Sequence, residues 1–141
     1  MRIIGEEVRH EIVMADPVSG SELSIFYRMP TTEERKTYIG AQYKRVEDTI
    51  EDHSYDARVK YGKKIMTGIG EGQVAFEAEG KILQISSNPE KEHYRADWKD
   101  LIEQYMPDVL WFLSYRVFEG MSVARVTPNT SRGNEAYDSK N

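Results

Sequence analysis

The chain contains no cysteine. That absence excludes disulfides, thiolate zinc sites, iron–sulfur clusters and a cysteine nucleophile. Small secreted domains usually need covalent staples, so the expected setting is the cytoplasm. Long apolar runs are also missing. The longest, Val109 to Leu113, has five residues, against the roughly 20 that a spanning helix needs. No membrane association is expected, and the start, Met1 to Glu7, is too acidic for a signal peptide. Positive charge is in deficit: 19 Lys and Arg against 24 Asp and Glu leave a net charge of -5. Phosphate neutralisation calls for the opposite balance, so no nucleic acid is expected as a partner. The one basic cluster, Arg58, Lys60, Lys63 and Lys64, reads as the solvated face of a helix.

Chemistry-bearing motifs are equally thin. The three histidines, His10, His53 and His93, lie far apart, and none has a second histidine at metal-motif spacing. The nearest carboxylate–imidazole grouping is Asp52, His53 and Asp56, which reads as a solvated connection between helices. Gly68, Gly70 and Gly72 lack the Gly-Lys-Ser/Thr ending of a phosphate loop and follow a helix instead of opening one. They are expected to end that helix and form a loop. No Gly-x-Ser-x-Gly elbow is present. No cofactor and no metal are expected, and catalysis is not the expected activity.

What remains is a foldable domain. At 141 residues, 39% hydrophobic and 11% aromatic, the chain supports one core. Residues 1–126 read as a single α+β domain and residues 127–141 as a polar, disordered tail. Val8 to Met14 and Leu23 to Met29 are β-branched and aromatic segments around the turn formers Asp16 to Ser21, hence an N-terminal β-hairpin. Thr31 and Glu34 have the spacing of a capping box. The stripe Ile39, Tyr43, Val46 and Ile50 continues from them at helical intervals. A second helix is expected from Tyr55 to about Thr67. A second small hairpin is expected around Glu79-Gly80-Lys81. A last helical region is capped by Asp97 and carries Trp98, Leu101, Ile102, Tyr105, Val109 and Phe112 on one face. Pro107 either kinks that region or starts a new helix. The apolar segment that follows it reads as a buried central element. The fold class is therefore α+β: a hairpin plus a three-to-four-helix core, with a second small hairpin.

The stretches Phe26 to Arg35, Arg58 to Gly68, Tyr94 to Lys99 with Leu101-Ile102, and Val117 to Gly120 resemble tail assembly chaperones of long-tailed bacteriophages and prophages. The strand-rich start departs from the most helical members. The resemblance implies binding to the tape measure protein, the helical ruler of the tail, and to the major tail tube protein that assembles around it. It implies no catalytic residues. A chaperone for an apolar helical ruler needs adaptable contacts, which methionines supply. Met29, Met66, Met106 and Met121 are the candidate protein-binding residues, with Met14 beside them. A homo-oligomer is compatible with the sequence. Two other readings stand beside this one. One is a structural tail component that stays in the particle. The other is a small-ligand or enzymatic domain, which would need a polar-lined pocket near His10, His53 or His93.

Overall fold

In the computed structural model the described residues are 9–120. Met121 and the expected tail at 127–141 lie outside them. The fold is α+β. Strands β1 (His10–Ala15) and β2 (Glu22–Tyr27) form the expected hairpin. Its loop is closed by Asp16, whose carboxylate accepts the backbone N–H of Val18 and Ser19, each at 3.3 Å. Helix α1 (Thr32–Ala41) follows. The capping box is complete: Thr31 Oγ1 accepts the N–H of Glu34 at 3.1 Å, and Glu34 Oε1 accepts the N–H of Thr31 at 3.0 Å.

The helical stripe past Ile39 does not form. The chain leaves α1 at Gln42 and makes a two-stranded ribbon, β3 (Tyr43–Val46) and β4 (Thr49–Asp52). Glu47 turns it at φ 55°. The stripe had no neighbour to bury against: Ile39, Tyr43 and Ile50 are 70%, 56% and 64% exposed. Without burial, helical spacing stabilises nothing, and a segment holding Tyr43, Val46, Thr49 and Ile50 suits a pleated ribbon as well.

Helix α2 (Ser54–Ile65) ends before the glycines. Met66 turns extended, at φ -69° and ψ 128°, and starts strand β5 (Met66–Ile69), which pairs antiparallel with β2. Gly68 is therefore a strand residue, not a helix terminator. A Cβ there would sit 3.0 Å from Arg9 Nη2 and 3.3 Å from Ser87 Oγ. Gly70 lies under Gln73, whose Oε1 accepts the Ser24 N–H at 2.6 Å. The main sheet has the order β1-β2-β5.

The second expected hairpin is present as β6 (Ala75–Ala78) and β7 (Lys81–Gln84). Glu79 and Gly80 both take positive φ, 53° and 76°, the two-residue turn whose twist matches the strands. Helix α3 (Trp98–Tyr105) and helix α4 (Pro107–Ser114) are separate, with Pro107 at the first turn of α4. Asp97 precedes α3, but its carboxylate accepts from Arg95 at 3.0 Å and makes no cap. A π-helical turn, Tyr115–Glu119, continues α4.

Helix α4 is the central element. Val109, Leu110, Leu113 and Val117 are buried among Ile65, Met66, Ile69 and Ile102. It crosses α2 at Gly62, where a Cβ would lie 2.2 Å from the Leu110 carbonyl oxygen. Ser114 Oγ reinforces the crossing by donating to the Arg58 carbonyl at 2.5 Å. No helix among the described residues is long and apolar enough to cross a membrane.

Candidate protein-binding surface

The candidate methionines are not brought onto one face. Met66 is fully buried, so it fills the core and offers no contact area. Met14, Met29 and Met106 pack, partly buried, against that core. Met121 lies outside the described residues. Met106 alone lines an apolar groove, and that groove was not visible as a unit in the sequence.

The groove runs between α3 and the β6–β7 hairpin and encloses about 280 Å³. Its floor is Val74, Ile85 and Ile102, all buried. Its walls are Phe76, Leu101 and Met106, with Tyr105 at the rim. Two local devices hold it open. Pro107 starts a new helix, which places Met106 at the α3–α4 junction with φ -137° and ψ 50°. On the other wall, the Arg95 guanidinium sits 4.8 Å from the Phe76 ring centroid, within cation–π range, and is fixed in turn by its two bonds to Asp97. Beyond the groove, Tyr105 is 67% exposed and Ile82 78%. Leu83 is exposed too. An exposed aromatic ring at the rim of an apolar cleft, as Tyr105 is here, marks a contact site better than scattered apolar side chains do. The sequence signal was present in Tyr105, which the helical stripe had placed on the core face.

A polar clamp stabilises the opposite side of the helical core. Arg58 on α2 donates to Glu119 through Nε at 2.8 Å and Nη2 at 3.1 Å. The Tyr38 hydroxyl of α1 donates to the same carboxylate. The Tyr38 ring stacks on Phe118 at 4.2 Å, and Tyr61 meets both rings edge-on. Burial pulls the Glu119 carboxyl upward, but the hydrogen bonds from Arg58 and Tyr38 outweigh it and leave the group below its ordinary range. Burial, then the bond to Glu119, pushes the Tyr38 phenol well up. These shifts belong to a closed structural network with every partner engaged. Arg58, one of the expected solvated basic cluster, is in fact the centre of this network.

The histidines remain dispersed. His10 stacks on Tyr27 at 5.3 Å. His53 meets Glu51, its Nε2 lying 3.0 Å from Oε1, not the expected Asp52 or Asp56. Asp52 instead accepts the Ser54 N–H at 2.8 Å. A cavity of about 400 Å³ does adjoin His53, lined also by Tyr43, Lys44, Asp56 and Lys60. Another, of about 460 Å³, lies on the sheet beside Arg9, Phe26, Glu71 and Ser87. Among the described residues no group of three or more His, Asp or Glu side chains is placed to hold a metal ion.

The described residues form a small α+β fold with an apolar cleft between helix α3 and the β6–β7 hairpin. Compared with known proteins, the chain finds no matching family model, no matching curated protein and no matching solved structure.

Proposed function

We propose that the protein acts by binding another protein, as a tail assembly chaperone that keeps the tape measure protein soluble until tube subunits surround it. The observation that carries the reading is the groove of Phe76, Leu101, Tyr105 and Met106, with Tyr105 exposed at its rim. An amphipathic helix lays its apolar stripe into such a groove, with anchors one turn apart. Met106 and Tyr105 suit a varied partner, one by flexibility and the other by large contact area at small entropic cost. The net charge of -5 keeps a complex with an apolar ruler dispersed.

The test is co-expression with a tape measure protein encoded beside this chain, against that protein alone. The expected result is that the long protein is insoluble alone, and soluble and co-eluting with this chain. If its solubility is the same either way, the chaperone reading fails. A second reading, small-ligand binding, is favoured by the cavity beside the His53–Glu51 pair. Chemical-shift changes confined to that cavity on adding a metabolite mixture would support it in place of the first.

A further inference from the structure

The β3–β4 ribbon is exposed along both strands except at Val46. Its closing pair is Val46 and Thr49. At the other end the His53 N–H donates to the Gln42 carbonyl at 2.7 Å. Hydrogen-bonded and open pairs alternate along an antiparallel ladder. Tyr43, Arg45, Ile50 and Asp52 therefore turn their backbone N–H and C=O groups outward. The pleat also puts their side chains on one face. Each edge thus presents unpaired backbone groups beside one large apolar side chain, Tyr43 or Ile50.

The two edges differ in sign. Strand β3 reads Tyr-Lys-Arg-Val, and β4 reads Thr-Ile-Glu-Asp. Lys44 and Arg45 have no ion-pair partner among the described residues. Charged edges normally prevent strand association, because an edge meets its own kind. Here that protection holds only for like edges. Twofold pairing of β4 with β4 would set Glu51 and Asp52 against each other, and β3 with β3 would do the same for Lys44 and Arg45. Opposite edges attract.

We propose that β4 of one copy of this chain pairs antiparallel with β3 of the next, in the register used inside the chain. Lys44 then faces Glu51 across the new boundary, as it does across the ribbon. Tyr43 and Ile50 become diagonal neighbours on one face, within reach of large side chains. The contact is head-to-tail, so it builds a ring if the rotation closes and a filament if it does not. This inference is independent of the chaperone reading, since the ribbon is separate from the groove.

The test is mass by light scattering across a dilution series, at low and high salt. The full chain is expected to exceed monomer mass at low salt and to dissociate as salt screens the edges. Ile50→Pro removes only an outward N–H, a position where edge strands tolerate proline. It is expected to keep the native circular dichroism and lose assembly. The exchange Lys44→Glu with Glu51→Lys preserves the pair inside each ribbon. That variant is expected to assemble with itself, while its co-assembly with the unaltered chain falls several-fold. A monomer at every concentration overturns the proposal. So does assembly of Ile50→Pro equal to that of the unaltered chain, or free mixing of the exchanged variant with it.

Discussion

The two short ribbons, β3–β4 and β6–β7, share a two-residue turn but differ in their setting. In β6–β7 the residues flanking the strands, Val74 and Ile85, are buried, and Phe76 packs, partly buried, against the core. In β3–β4 the flanks are Gln42 and His53, and the strands stay in solvent. Local turn chemistry is enough to specify a ribbon. Whether the ribbon joins the core depends on the residues just outside it. Both ribbons differ in turn from the helical crossing of α2 and α4, where the backbones themselves touch. Stability should therefore be concentrated at the crossing and surface recognition at the ribbons.

The strongest way to break that contrast is Gly62→Ala. The added Cβ meets backbone, the Leu110 carbonyl oxygen at 2.2 Å, so the helices must separate. We expect a loss of about 3 kcal/mol, read from the urea midpoint. A change under about 0.5 kcal/mol would show that the crossing is loose. Next is Arg58→Met, which strips Glu119 of its charged partner in a partly buried setting. A loss of about 2 kcal/mol is expected from urea titration.

The third concerns acid. Hydrogen bonding from Arg28, aided by the Thr31 N–H, holds the Glu34 carboxyl down at about 2, against an ordinary 4.5, despite some burial. The unfolded chain binds that proton more readily, so the group contributes stability above pH 4.5. That stability is lost as pH falls from 4.5 towards about 2. Glu34→Gln keeps an acceptor for the Thr31 N–H but removes the charge. The thermal midpoint of this variant should fall less steeply over that range than the parent's. Equal slopes would remove Glu34 from the acid response.

The smallest effects belong to the ribbons and the groove. Tyr105→Ala should change stability by less than about 0.5 kcal/mol, because its ring is exposed. The same substitution should lower tape measure co-elution in the co-expression assay. Glu47→Asn replaces a residue strained at φ 55° by one that tolerates the left-handed region. We expect a gain of a few tenths of a kcal/mol, seen as a small rise in the thermal midpoint.

Where sequence reading succeeded, the signal was local. Thr31 and Glu34 make their capping box through bonds spanning three residues. The turn at Glu79-Gly80 acts just as locally, while at Pro107 the sequence allowed a kink or a new helix and the structure has the new helix. Where it failed, two local structures were equally allowed. Ile39 to Ile50 has both helical spacing and strand composition, and only the lack of a burying neighbour decided between them. Met66 continued the apolar stripe expected of α2, yet β2 offered an open edge, and the chain turned extended there. The groove was hidden for the same reason. Phe76 and Met106 are 30 residues apart, and no spacing rule joins them.

The sequence by itself determined the capping box at Thr31 and Glu34, the turns of the two expected hairpins and an apolar segment greasy enough to be central, because each depends on neighbours within a few bonds. Only the tertiary structure decided which methionine is fully buried and which lines the groove. It also decided that Gly62 is a crossing point, that Gly68 lies in a sheet, and that Arg58 closes a clamp on Glu119. Those outcomes depend on which distant backbone arrives alongside, and burial is a property of that arrival, not of the residue.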